Sequence, residues 1–242
     1  MANVWLTRTA KRAGAGNLNA LAARTRSATD RNDPPMKLYY WPKTRAFRAL
    51  WMLEELGVPY EFAYVNIRAG EQNEPAFCAV NPMSKLPALD DDGVCVAESG
   101  AVLLYLADKY PQANLGIPSD DPLRGRFLQW MFFTGACLEP AMAEKMIGAP
   151  GNSVSFGWGD MGRVEKAIES ALAHGPWLLG ERFTAADILV ASTLQIAYMA
   201  KLIEPGGVLS EYVARATSRE AHERAVSIDK AEAQKAAAVA RN

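Results

Sequence analysis

Two short stretches hold the residues best placed to do chemistry. One is Pro42-Lys43-Thr44-Arg45. The other is Lys85-Leu86-Pro87, followed eleven residues on by Glu98-Ser99. A proline in a short apolar run cannot donate to a sheet ladder, so Pro87 marks a packing position, a sheet edge or a cis bond. In the last case Leu86 offers its own N–H and C=O to a peptide-like ligand, as in strand addition. Glu98-Ser99 opens an apolar helix, where free backbone N–H groups and the helix dipole favour an anion. Ser99 and Thr44 also read as simple helix caps. Taken together, these features suit a small ligand with a backbone-like middle and a carboxylate at one end.

The elements that must position these residues follow from periodicity. Leu38-Tyr39-Tyr40-Trp41 reads as a strand and Arg45–Leu56 as a helix. In that helix Ala46, Ala49, Leu50, Leu53 and Leu56 lie on one side, with Arg45, Arg48 and Glu55 on another. Gly57 and Pro59 close the helix, and residues 60–65 make a second strand. Such a β-α-β unit is right-handed with parallel strands. Residues 70–80 form a short helix or loop. Leu86–Leu89 and Val94–Val96 pair as a hairpin about the turn Asp90–Gly93, and a helix spans Glu98–Tyr110. Residues 112–122 contain Gly116, Pro118 and Pro122 and read as a linker. From 123 to 242 the pattern is helical. Thr184 and Asp187 have capping-box spacing before a helix that is apolar nearly all round.

Composition excludes several classes. The chain of 242 residues has a net charge of −1, which offers no field for nucleic acid or a membrane surface. No run of eighteen apolar residues is present, so no spanning helix is expected. Three scattered cysteines, Cys78, Cys95 and Cys137, imply a reducing compartment rather than a disulfide framework. Only two histidines occur, and no Cys/His spacing fits a metal. Cys95 reads as buried packing in its strand. Residues 1–35 carry six basic side chains against two acidic ones, a net +4 that leaves −5 for 36–242. They read as a disordered leader, or as translation begun ahead of a true start at Met36, in preference to a transit peptide.

Over nearly all of residues 36–228 the chain resembles the soluble glutathione transferases. The resemblance rests on MKLYYWPKTRAFRALWMLEELGVPYE, NPMSKLPALDDDGVCVAESGAVLLYLADKYP and GPWLLGERFTAADILVAS. It implies an α/β thioredoxin-like N-terminal domain over 36–111 and an all-α C-terminal domain over 123–242. It also implies a cytoplasmic homodimer, glutathione as co-substrate and a small apolar electrophile as partner. In such proteins the proline matching Pro87 is cis and the residue matching Leu86 pairs with the cysteinyl backbone of glutathione. The residues matching Glu98 and Ser99 hold the γ-glutamyl end, and the one matching Lys85 lies near the glycyl carboxylate. Ser84 replaces the usual glycine. The hydroxyl that activates the thiol is expected from Thr44, with Tyr40 the runner-up. Trp41, Trp130, Phe133 and Cys137 are the candidates for a second-substrate pocket, although an aromatic stripe at helical spacing more often belongs to a core. Without a cysteine in 41–48, mixed-disulfide chemistry is disfavoured. Alternatives on the same fold are glutathione-dependent reduction of disulfides or peroxides, and a non-catalytic binding module.

Overall fold

A computed structural model describes residues 36–149 and 151–239. The leader expected over 1–35 lies outside them. Strand β1 (Met36–Tyr40), helix α1 (Ala46–Leu56) and β2 (Tyr60–Tyr64) form the β-α-β unit, with β1 and β2 parallel. A 3-10 turn and the short α2 (Pro75–Cys78) lead to β3 (Ala88–Asp91) and β4 (Val94–Ala97). Both are antiparallel to their neighbours in a sheet ordered β2-β1-β3-β4. Asp92 and Gly93 make the hairpin turn with φ of 53° and 85°. Left-handed backbone at both positions is what a two-residue hairpin needs, and glycine adopts it without steric cost. Helix α3 (Ser99–Lys109) then packs back against α1 and the sheet.

The rest is helical: α4 (Arg124–Phe133), a π turn over Thr134–Leu138, α5 (Glu139–Ile147), α6 (Met161–Leu172), α7 (Ala185–Met199), α8 (Gly207–Thr217) and α9 (Glu220–Val239). The fold is thus a thioredoxin-like half with a mixed sheet, followed by a helical half.

Two sequence expectations need correction. Leu86 and Pro87 stand just ahead of β3, which runs two residues further than expected, to Asp91. Cys95 is exposed rather than buried. It lies on β4, an edge strand whose first two residues are both open to water.

Helix α1 joins the two halves. Ala49, Leu50, Trp51, Met52 and Leu53 are all fully buried, so helix faces beyond the expected apolar one are covered. One hydrophobic core runs from Met36 and Leu38 through Trp51 and Phe127 to Ile188 and Tyr212. The polar side of α1 pairs with the helical half. Arg45 and Arg48 reach Glu139, and Glu55 takes two bonds from Arg219 at 2.6 and 2.8 Å.

Within the helical half, the fully buried Asp187 completes the expected capping box with Thr184. Its carboxylate also accepts from Leu178 N at 3.0 Å and from the Tyr212 hydroxyl at 3.0 Å. Burial pushes the Asp187 carboxyl up to about 6, although these donors pull the other way.

Candidate functional site

A cavity of about 710 Å³ opens where α3, α4 and α5 meet the loop ahead of β3. That volume is in the range of small-molecule sites. Lys85, Leu86, Pro87, Glu98 and Ser99 all line it. Buried Asn81 braces this wall: its side-chain amide donates to Lys85 O at 2.8 Å, and its side-chain oxygen accepts from Met83 N at 3.0 Å. The Leu86–Pro87 bond is cis. Ser84 has φ 55°, the left-handed backbone for which glycine is the easy choice. Glu98 holds φ 70° and ψ 126° immediately before α3, and its carbonyl accepts from Val102 N at 2.9 Å. A non-glycine residue in such backbone is strained, and strain of this kind collects at ligand sites. Gly100, the second residue of α3, lies so near α4 that a Cβ would sit 3.0 Å from Met131 O.

The other walls come from α1 and from α4 to α5. Met131, Phe132, Thr134, Gly135, Ala136 and Glu139 line the cavity, with Arg45 just ahead of α1 and Arg48 on it. Trp130, Phe133, Cys137 and Trp41 are not among the lining residues. Trp130 is buried in the core, its ring centroid 4.9 Å from that of Phe133. Cys137 is half-buried against the same core, and burial pushes its thiol up.

The π turn sits between these helices because Pro140 interrupts one helical run. Proline has no N–H to give the carbonyl four residues back, and its ring crowds that carbonyl. Glu139 N bonds instead to Thr134 O, five residues back. Pro140 was the available sequence signal for this irregularity.

Neither candidate hydroxyl lines the cavity. Half-buried Thr44 stands next to the lining residue Arg45, donates to Trp41 O at 2.7 Å and accepts from Ala46 N at 3.2 Å. Tyr40 is fully buried and donates to Asp229 of α9. Burial, then that carboxylate, push its ionisation far above the usual tyrosine range. Asp229 also accepts from Lys43 N at 3.0 Å, which ties α9 to the loop that carries Thr44.

Three charged groups cluster at the α1 end. Arg48, only 3% exposed, donates through one terminal nitrogen to Glu139 Oε1 at 2.7 Å and to Thr193 Oγ1 at 2.8 Å. Arg45 donates to the same Glu139 oxygen at 2.7 Å. Burial raises the Glu139 carboxyl, but the two guanidinium groups outweigh it and hold the group below the usual carboxylate range. Among the described residues, no group of three His, Cys, Asp or Glu side chains could hold a metal ion. No helix among them is long and apolar enough to cross a membrane.

Comparison with known proteins agrees with this architecture. The family model for the glutathione S-transferase N-terminal domain matches residues 34–108, and that for the C-terminal domain matches 139–224. The structure of a glutathione transferase from Methylococcus capsulatus is 31% identical, with a TM-score of 0.66 over 82% of this chain and 99% of that one. A glutathione transferase homologue from Sulfitobacter, solved with bound glutathione, is 26% identical, with a TM-score of 0.66 and coverage of 82% and 99%. The disulfide-bond oxidoreductase YfcG of Escherichia coli is 29% identical over 62% of this chain and 75% of its own length. With both domain models matched in order along one chain and a relative above 30% identity covered almost end to end, the chain belongs to the glutathione S-transferase family.

Proposed function

We propose that this protein binds glutathione in the cavity and activates its thiol for attack on an apolar electrophile. One observation carries the reading: Lys85, Leu86, Pro87, Glu98 and Ser99, read from sequence as one set, line a single cavity. In this reading Leu86 pairs with the cysteinyl backbone, Glu98 and Ser99 hold the γ-glutamyl end, and Lys85 meets the glycyl carboxylate. A free thiol has a pKa of about 8.5, and lowering it by about two units takes roughly 2.7 kcal/mol. One charge-assisted hydrogen bond plus a helix N-terminus is of that size. In this reading Thr44 supplies the bond: its neighbour Arg45 lines the cavity and its hydroxyl is held only within its own turn, whereas the Tyr40 proton is committed to Asp229 of α9. The thiolate then forms a sulfur–carbon bond, and the displaced group leaves with the electron pair. A homodimer working in the cytoplasm belongs to the same reading.

A second reading, glutathione-dependent disulfide or peroxide reduction, is favoured by the likeness to YfcG. The two part on product, a thioether in one case and oxidised glutathione in the other. The test is calorimetric titration of the full chain with reduced glutathione, beside the Glu98→Ala, Ser99→Ala double variant. Saturable binding that the variant loses supports the site. Absence of binding by the wild type refutes it and leaves a non-catalytic role on this fold.

A further inference from the structure

Glutathione held by the loop ahead of β3 and the start of α3 leaves the α1 end of the cavity unassigned. That end contains two polar atoms with no partner. Arg48 Nε and Thr134 Oγ1 are both buried, and neither makes a hydrogen bond among the described residues. Both residues are 3% exposed and both line the cavity. Buried donors and acceptors are nearly always satisfied, so an unpaired pair at one cavity wall points to a group that completes it. The charges agree. Arg45 and Arg48 share a single carboxylate, Glu139, which leaves one positive charge in excess at this end. Thr134 opens the π turn, and π turns inside helices recur at functional sites. The neighbouring lining residues Leu104, Met131 and Leu189 are apolar.

We propose that the second substrate has an apolar body ending in a carboxylate, which Arg48 holds together with Arg45 and Thr134. Arginine suits this task because its planar fork matches a carboxylate, and because it is weakly hydrated and so can be buried. Glu139 then acts as a positioning residue that keeps the two guanidinium groups apart in charge and together in space. The inference rests on the cavity being the glutathione site.

The test uses two glutathione conjugates of equal length, S-hexylglutathione and S-(5-carboxypentyl)glutathione, titrated calorimetrically into the full chain. The ratio of their affinities is the readout. Wild-type protein is expected to prefer the carboxylate by about ten-fold, the size of one charge-assisted hydrogen bond. Arg48→Met should abolish the preference. Because a buried arginine supports the fold, Arg45→Met and Thr134→Val are measured alongside it, and each should cut the ratio about three-fold. Equal affinities in the wild type overturn the inference and leave ordered water as the partner of both atoms. So does a full preference that survives in Arg45→Met and Thr134→Val. Failure to bind glutathione itself overturns the parent reading, and is told apart by titrating glutathione alone.

Discussion

The two halves of the molecule contribute to the cavity by different means. The thioredoxin-like half offers groups set on locally fixed backbone: a cis bond at Leu86–Pro87, positive φ at Ser84 and Glu98, and a helix start at Ser99. The helical half offers side chains on a frame braced by a buried carboxylate, Asp187, that takes bonds from Leu178, Thr184 and Tyr212. Backbone groups are fixed by local chain geometry, so their ligand is set by short sequence. Side chains on packed helices are set by the whole core, so their ligand can change without disturbing the fold.

If this division is real, variants in the two halves should separate stability from binding. The largest effect belongs to Asp187→Ala, which strands several buried donors at once. It should lower unfolding stability by roughly 3–5 kcal/mol in urea titration, while glutathione affinity of the folded fraction stays within about two-fold. A loss under about 1 kcal/mol would mean that the helical frame does not depend on this cap. Next comes Glu98→Ala, with the opposite signature: glutathione affinity down by about ten-fold or more, and stability nearly unchanged.

Tyr40→Phe tests the seam between the halves. As a tether to Asp229 the hydroxyl is worth about 1 kcal/mol of stability, and its removal should leave the ionisation of bound thiol where it was. Thr44→Ala should instead raise the pH at which bound glutathione ionises, read from thiolate absorbance. If Tyr40→Phe produces that shift and Thr44→Ala does not, the assignment of the activating hydroxyl is reversed.

The smallest effect is a pH dependence at the same seam. His222 of α9 is 5% exposed, its ring centroid 4.6 Å from that of Trp51 on α1, and its Nε2 has no partner among the described residues. Burial, against weaker opposing contributions from Thr217, Glu223 and Glu55, lowers its pKa. The folded state therefore prefers the neutral ring, and the unfolded chain takes up the proton first. Stability from this group is present above the unfolded value of roughly 6.5 and is lost as pH falls below it. His222→Phe should consequently narrow its stability gap to wild type, or overtake it, between pH 7.5 and 5.5 in thermal melts.

How much of this was legible in sequence follows the same division. The β-α-β unit, the Asp92-Gly93 turn, the set from Lys85 to Ser99 and the Thr184–Asp187 cap are local patterns, and each was readable. The helical wall was not. Trp130, Phe133 and Cys137 were the expected lining, but the ring of Trp130 is more useful in the core, and Met131, Phe132, Gly135 and Ala136 line the cavity instead. The π turn at Pro140 also breaks the simple helical count there. Arg48 looked like the polar side of an amphipathic helix, because nothing local reveals that the helical half will close over it. Cys95 was misplaced because alternation alone does not tell an edge strand from a central one.

The tie between Asp229 and the loop at Lys43 also has a meaning in time. The two partners are 186 residues apart in the chain. During synthesis the loop that carries Thr44 emerges early and then waits, without its clasp, while the sheet half and most of the helical half are made. The nascent chain can thus assemble its ligand wall well before the neighbouring hydroxyl is held in place. Under the proposed reading, binding competence and thiol activation are acquired in that order.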